Sequence, residues 1–481
     1  MTTRRILYPL TAAIILGYFL YFVWPSLRMY FDSDDMYALY FAWSKPWRQV
    51  IHENLFFWQG GFRPLGAFFY RGIFAAVGYN PLPFRIAELS FCLVDTAICF
   101  WIVKEISESL RVAAVATLLF AFHCRMIEVW YRTTIIFDVL CFLFVWLAAG
   151  IYIQGRKGGR KLSVGRGGVI LVLYFFAMDS KEMAVVLPLL LLSYELLFNP
   201  VRLKELIRSR PLALIAIMGV MTVAYMYGKL FGPNAMSANE FYTPEYSFAR
   251  FKHNWSAYIA DLLVLKKDPH GWLTLTILGA LLLGALLARS RKLIFAWIVL
   301  FFGLLPVIFT PLRSGYVMYI SYVGWVLYAG VILIRLEDLV TRSHPQYRTA
   351  LACVIFVLVG WRVGKIHEHS VRTEDRQWLY DSPHMIRGMV EQLPAMHPSF
   401  PRGARILFQE DGFTTGEWTP MFVMRLLYDD RDLIVDRIKS ATVKPADWVQ
   451  YTSPDHTHYD YVFTWENGRY RQVTPVIAAV R

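Results

Sequence analysis

The sequence predicts an all-α polytopic membrane protein of about eleven transmembrane helices, with a small C-terminal α/β domain outside the membrane. Of its residues, 56% are hydrophobic and 18% are charged, whereas soluble domains carry roughly 45–50% apolar and about 25% charged residues. The runs 212–230, 272–287 and 293–309 approach or reach the length of about 20 apolar residues that a spanning helix needs. After Trp361 the composition changes to charged residues, prolines and histidines.

The predicted spans follow the apolar runs. Two of them, 112–124 and 167–179, are short, and short helices are tolerated where they line a cavity inside the protein. The predicted spans are 6–24, 83–103, 112–124, 133–153, 167–179, 183–198, 212–231, 271–288, 293–309, 316–334 and 349–361. They define a transmembrane domain over 1–361, whose long first loop, 25–82, carries helices that lie in the membrane interface.

Basic residues predict the orientation of these spans. The loop 154–166 contains Lys and Arg without any acidic residue, and the segments 199–211 and 289–292 are also basic. All three lie on one side of an eleven-span arrangement, which is therefore the cytoplasmic side. The first loop and the C-terminal domain then lie outside, in the periplasm if the protein belongs to a bacterial inner membrane. Because orientation explains much of the net charge of +13, we expect membrane lipids and no nucleic acid as partners.

The C-terminal domain is predicted over 362–481. Segments 405–409 and 433–436 have the pattern of buried strands, with a helix near 421–427 between them. Segments 459–465 and 470–474 predict a hairpin around Asn467-Gly468, a pair typical of two-residue β-turns.

The first group of candidate functional residues is Asp32-Ser33-Asp34-Asp35, directly after the first span. Three carboxylates in four residues repel one another unless a metal, a base or water separates them. The group is either the start of a solvated loop or a general base, with a carboxylate that could bind a metal beside it. No cofactor is certain, but Asp34 and Asp35 could hold Mg²⁺ or Mn²⁺.

Three further groups carry cations at the same predicted face. Arg63 follows Gly60-Gly61-Phe62, and a guanidinium suits phosphate, although an arginine that extends to the interface has the same pattern. Asp179-Ser180-Lys181-Glu182 lies at a tight reversal between spans and is either functional or a structural Lys–Glu pair. Arg313 and Tyr316 begin a span where tyrosines could instead form an aromatic belt. The loop containing Arg125, Glu128, Trp130 and Arg132 is a weaker candidate.

Together these groups resemble the GT-C superfamily of integral membrane glycosyltransferases, particularly the dolichyl- or polyprenyl-phosphate mannosyltransferases and bacterial aminoarabinose transferases. The resemblance covers about residues 1–335. It depends on Asp34-Asp35 after the first span, the interfacial helices, Ser180-Lys181-Glu182 and the stretch from Arg313 to Tyr322. The last two also resemble the tetratricopeptide mannosyltransferase branch, but this chain has no such repeats.

The resemblance implies an inverting transfer of a sugar from a polyprenyl-phosphate donor to an acceptor hydroxyl on the non-cytoplasmic face. Asp34 or Asp35 would be the base, with Glu182 as a further catalytic candidate. Arg63, Lys181, Arg313 and Tyr316 would bind the donor phosphate. The acceptor could be a glycan, a lipid or a protein, and the sugar is open.

A transporter or flippase of lipid-linked saccharides is the alternative, and a non-catalytic assembly scaffold is a third. Transporters often have paired halves with interrupted helices near the membrane midplane. The sequence has no visible internal symmetry, and its charges gather at helix ends, which favours an enzyme.

Overall fold

The computed structural model describes residues 2–56, 63–200, 205, 209–231, 242–342, 345–438 and 459–473. Its helices are α1 (Thr2–Val23), α2 (Ser33–Ser44), α3 (Trp47–Leu55), α4 (Leu65–Val77), α5 (Pro81–Ser107), α6 (Leu110–Phe120), α7 (Glu128–Tyr131), α8 (Ile136–Arg156), α9 (Val164–Ser180), α10 (Leu187–Phe198), α11 (Arg210–Phe231), α12 (Phe248–Leu262), α13 (Gly271–Leu287), α14 (Arg291–Gly303), α15 (Tyr322–Val340), α16 (Arg348–Thr373), α17 (Trp378–Met396) and α18 (Thr419–Leu427). The strands are β1 (Arg405–Glu410), β2 (Ile434–Arg437), β3 (Tyr461–Glu466) and β4 (Arg469–Gln472).

Within the described residues, five helical segments are long and apolar enough to cross a membrane. They are Tyr8–Arg28, Pro81–Ser107, Thr133–Gly159, Arg210–Phe231 and Arg348–Thr373. Three more apolar helices, Leu65–Val77, Leu110–Phe120 and Gly271–Leu287, are shorter. The helical membrane architecture agrees with the prediction, but the count of eleven spans is not confirmed.

The predicted span 293–309 shows how an apolar run can exceed its helix. Helix α14 ends at Gly303, and turns that include Pro306 follow it. Proline has no amide hydrogen and its ring clashes with the preceding turn, which disfavours continuation of a helix, although α17 does continue through Pro383 and Pro394. Hydropathy alone therefore overestimates the length of this span.

Helices α5, α8, α9, α14 and α15 pack around a buried aromatic and aliphatic core. Gly324 of α15 permits a close approach to α14, because a Cβ atom there would lie 2.5 Å from the Ala296 carbonyl oxygen. Small residues at such crossings allow helix backbones to pack closely.

The strands predicted in the C-terminal segment are confirmed. They form one sheet in the order β2-β1-β3-β4, in which β1 runs parallel to β2 and β3, and β4 runs antiparallel to β3. Asn467 and Gly468 have φ angles of 50° and 78°, as a two-residue hairpin turn with matching twist requires. The domain boundary at 361/362 stays a prediction, and helix α16 passes through that position without a break.

Candidate active site

The acidic motif forms the start of helix α2, and its aspartates have different surroundings. Asp32 Oδ1 accepts a hydrogen bond from the Asp35 amide at 2.8 Å, and Asp35 Oδ2 accepts one from the Asp32 amide at 2.9 Å. This reciprocal capping box satisfies amides that the first helical turn leaves unpaired. Asp35 is 1% exposed, and the Tyr70 hydroxyl donates to its Oδ1 at 2.7 Å. Asp35 is thus enclosed and held by the helix start.

Asp34 is the open member of the motif. Its side chain is 71% exposed and its Oδ2 lies 3.1 Å from Arg132 Nη2. The surrounding protein and the negative charge of Asp32 raise the pKa of Asp34 from 3.8 to about 6, while Arg132 opposes the rise. Because most of the side chain faces solvent, water screens part of this rise. The sequence left Asp34 and Asp35 equivalent, whereas the structure gives only Asp34 an accessible carboxylate.

Arg132 joins three carboxylates, although the sequence ranked its loop as the weaker candidate. Its guanidinium lies 2.5 Å from Asp32 Oδ2, 3.1 Å from Asp34 Oδ2 and 2.8 Å from Glu128 Oε2. Glu128 also accepts a hydrogen bond from the Ser314 hydroxyl. The loop containing Arg132 therefore connects the acidic motif to the segment around Arg313.

Arg63 and Glu182 form a two-point ion pair across a large sequence separation. Arg63 Nη2 donates to Glu182 Oε1 at 2.7 Å, and Arg63 Nε donates to Oε2 at 3.2 Å. Burial would raise the pKa of Glu182, but the charges of Arg63 and Lys181 lower it to about 2. A carboxylate with so low a pKa and both oxygens engaged is a weak base. This geometry makes Glu182 the partner of Arg63, and its catalytic role stays a prediction.

Lys181 pairs with a residue that the sequence reasoning missed. Its ammonium is 2.5 Å from the Asp138 carboxylate, and both side chains are buried. The ammonium also lies 4.8 Å from the centre of the Tyr316 ring, within the range of cation–π attraction. Asp138 lies in the predicted span 133–153, and an acidic residue inside an apolar span is itself a signal of function.

One cavity brings together all four residues predicted to bind phosphate. It is lined by Arg63, Lys181, Glu182, Tyr242, Pro306, Val307, Thr310, Arg313, Tyr316 and Val317. The Arg313 guanidinium lies 4.3 Å from the centre of the Tyr242 ring. The cavity volume of about 20 Å³ is room for about one water molecule. A phosphate could enter only if the lining side chains moved.

A short chain of contacts joins the acidic motif to this cation-lined cavity. Tyr70, which donates to Asp35, has its ring centre 6.4 Å from that of Phe137, and the Arg63 guanidinium lies 5.8 Å from the centre of the Phe137 ring. Tyr37 lies one turn after Asp34 on helix α2. Burial and Tyr242 raise its pKa to about 12, with Arg63 opposing and Asp34 contributing to the rise. Charges from both groups therefore act on one hydroxyl. Residues 60–62, which precede Arg63 in the predicted motif, lie outside the described residues.

The C-terminal segment also reaches the acidic motif. The Ser33 hydroxyl donates to Glu417 Oε2 at 2.7 Å and lies 2.7 Å from the Ser382 hydroxyl. Further along α2, the Tyr40 ring stacks on Phe422 with 4.9 Å between the ring centres. The first turn of α2 is thus enclosed on one side by residues from far along the chain.

In this arrangement, the carboxylates of Asp34 and Asp35, the predicted metal pair, are poorly placed to bind a cation. Both oxygens of Asp35 already accept hydrogen bonds, and Arg132 supplies the positive charge beside Asp34. A metal role for the pair stays a prediction. Among the described residues, three metal-ligating side chains do converge at His123, Cys124 and His367, all buried, with ligand atoms within 4.8 Å of one another.

Comparisons with known proteins add little. No family model matches the sequence, and no curated protein sequence matches it. The chain is similar to the crystal structure of the apo oligosaccharyltransferase of Archaeoglobus fulgidus, with 12% sequence identity and a TM-score of 0.47. The match covers 89% of this chain and 64% of that one. A TM-score below one half at such low identity does not establish a shared activity.

Proposed function

We propose that this chain is a membrane glycosyltransferase that moves a sugar from a polyprenyl-phosphate donor to an acceptor hydroxyl. One observation supports this more than any other: the motif with the open carboxylate of Asp34 is joined, through Tyr70 and Phe137, to a cavity lined by Arg63, Lys181 and Arg313. A base next to phosphate-matching cations is the pairing that sugar transfer from a phosphate leaving group requires.

The proposed reaction is a single displacement. The acceptor oxygen attacks the anomeric carbon and forms the new glycosidic bond, while Asp34 takes the hydroxyl proton. The bond between the anomeric carbon and the phosphate oxygen breaks, and that oxygen keeps the electron pair. Cations beside the leaving phosphate stabilise its growing negative charge. Attack opposite to the leaving group inverts the anomeric centre.

Donor binding on this proposal is an exchange of ionic partners. Arg63 is held by Glu182 and Lys181 by Asp138, and the cavity between them is small. A donor phosphate would replace part of the Glu182 contact with Arg63 and approach Lys181 over the Tyr316 ring. Buried cations keep a counter-charge in both states, which avoids the cost of an unpaired buried charge.

The resemblance of the short motifs to GT-C enzymes supports a polyprenyl-phosphate donor and an acceptor that is a glycan, a lipid or a protein. The distribution of basic loops supports an active site on the non-cytoplasmic face. In a bacterial inner membrane, this face and the C-terminal domain would be periplasmic.

The test is transfer of radiolabelled sugar from a panel of short-chain polyprenyl-phosphate sugars by the purified full-length chain in lipid nanodiscs, with a membrane extract as the source of acceptor. We expect Asp34→Asn to lower the rate by about 10²–10⁴-fold, the range for loss of general base catalysis. Asp432→Asn is the matched control, because Asp432 is an exposed carboxylate in the C-terminal segment.

Full activity of a folded Asp34→Asn variant would refute the role of Asp34 as base. If the wild-type chain consumes no donor but moves labelled lipid-linked saccharide across proteoliposome membranes, the transporter alternative replaces the enzyme.

A further inference from the structure

A second cavity lies at the opposite ends of the helices that carry the candidate active site. Asp138 lies at the start of α8, whereas Lys157 follows its end and lines this cavity. The same holds for α15, whose start is near Tyr316 and whose last turns supply Arg335 and Asp338. At about 1.5 Å per residue, α8 is about 30 Å long, so the two sites are about one hydrocarbon thickness apart.

This cavity is large and strongly basic. Its volume is about 850 Å³, within the roughly 300–1,000 Å³ typical of small-molecule sites. Of the described residues that line it, seven are basic and three are acidic. Tyr194, Phe198 and Ile334 add apolar wall.

The basic residues fall into two classes. Arg111, Lys157 and Arg348 each form salt bridges with acidic residues at the cavity, such as Asp338 and Glu105. Four others have no acidic group within salt-bridge distance in the described part of the chain; they are Arg289, Arg291, Lys292 and Arg335. Lys292 donates to the Ser107 carbonyl oxygen, and Arg335 Nη2 donates to Ser290 Oγ at 2.9 Å. Neutral acceptors hold these two cations, and among the described residues neither forms a salt bridge.

Orientation in the membrane alone does not require this arrangement. The positive-inside rule is satisfied by basic residues in open loops, as with Arg160 and Lys161, which are exposed. Lys292 is instead half-buried. Burial lowers its pKa, Glu108 opposes this, and the positive charges of Arg335 and Lys157 lower it further. Cations that face one another across a concave surface are a costly arrangement without an anion.

We propose that this cavity binds a phosphate-bearing anion, with Lys292 and Arg335 as its main contacts. Guanidinium and ammonium groups suit phosphate oxygens through charge-assisted hydrogen bonds. The anion could be the headgroup of an anionic phospholipid or a soluble phosphate. Basic pockets between helix ends are typical lipid headgroup sites, and the apolar walls suit a lipid. This inference does not depend on the proposed glycosyltransferase activity.

The test is native mass spectrometry of the full-length chain with phosphatidylglycerol or phosphatidylcholine. We expect the wild type to retain phosphatidylglycerol preferentially and the double variant Lys292→Gln/Arg335→Gln to bind it at least about tenfold more weakly, as for a loss of about 1.4 kcal/mol. Arg160→Gln/Lys161→Gln is the matched control, because it removes the same charge from the same predicted face without touching the cavity. It should bind like the wild type.

A second arm titrates inorganic phosphate and follows thermal unfolding. Stabilisation of the wild type but not of the cavity variant by inorganic phosphate would support a soluble ligand, and stabilisation by phosphatidylglycerol alone would support a lipid. If the double variant does not fold, Arg291→Gln, at an exposed position, serves in both arms. Equal lipid and phosphate binding by the cavity variant and the wild type, or an equal loss in the control, would overturn the proposal.

Discussion

The acidic motif and the cation-lined cavity are joined through Tyr70 and Phe137, but their charged side chains are paired in opposite ways. In the acidic motif, one carboxylate of three remains open to solvent, because Asp32 and Asp35 are used to start helix α2 and to hold Arg132. In the cavity, Arg63 and Lys181 each pair with an acidic side chain that is at most 14% exposed. The acidic motif and the cavity would therefore have different roles in the proposed reaction. The acidic half is ready for an acceptor, whereas the cationic half must exchange partners to receive a phosphate.

The largest expected effect is a loss of stability when Arg132 is replaced. Its guanidinium neutralises carboxylates in the acidic half that have little contact with water. Arg132→Ala leaves Asp32 and Glu128, whose side chains are each 7% exposed, without their counter-charge. Removing one partner of a buried pair costs about 3–5 kcal/mol, which thermal unfolding in detergent would detect. The control is Arg387→Ala, whose pair with Glu391 is exposed and should cost about 0.5 kcal/mol or less. Equal losses of stability in Arg132→Ala and Arg387→Ala would show that Arg132 does not compensate the enclosed carboxylates.

Glu182→Gln tests the exchange of partners in the cationic half. If Glu182 only holds Arg63, the variant frees a cation for the donor, and we expect the KM for donor to fall by about tenfold while transfer continues. The apo protein should also unfold at a lower temperature and recover stability when donor is added. Loss of transfer by about 10²-fold or more without any change in KM would instead assign Glu182 a catalytic role.

The pH dependence of transfer tests the open carboxylate. A base must be ionised, so protonation of Asp34 below its pKa, which is raised from 3.8 toward about 6, removes activity. We expect the wild-type rate to fall by about tenfold per pH unit below that value and to level off above it. The residual activity of Asp34→Asn should lack this acidic limb. If Asp34→Asn keeps the same loss of rate at acidic pH, a group other than Asp34 causes that loss.

Local patterns could be predicted from the sequence, whereas pairings between distant segments could not. The hairpin at Asn467-Gly468 depends on turn chemistry within a few residues, and its prediction was confirmed. The pairing of Lys181 with Asp138 depends on how α8 packs against the turn after α9, which no periodicity encodes. The sequence placed Arg63, Lys181 and Arg313 at one membrane face but could not show that they line one cavity.

The count of eleven spans is not confirmed, for a related reason. An apolar run measures the length of chain that avoids water, but a helix also needs continuous backbone hydrogen bonds. Helix α14 ends at Gly303, and turns that include Pro306 replace those bonds inside one predicted span. Other predicted spans, such as that of Leu110–Phe120, contain helices too short to cross a bilayer unaided. Helical packing inside the protein, which the sequence does not display, decides how such segments are accommodated.

The smallest expected effect distinguishes Asp35 from Asp34. Tyr70→Phe removes one hydrogen bond to the enclosed Asp35 carboxylate, and we expect a loss of about 1 kcal/mol in the free energy of unfolding. Because Asp35 caps the helix and does not face the acceptor on our proposal, the transfer rate should stay within about twofold of wild type once the protein is folded. Burial and Asp32 raise the pKa of Asp35, and the Tyr70 hydroxyl opposes that rise. If Asp35 were the base, Tyr70→Phe would therefore move the acidic limb of the pH profile to higher pH, whereas an unchanged limb leaves Asp34 as the group that titrates.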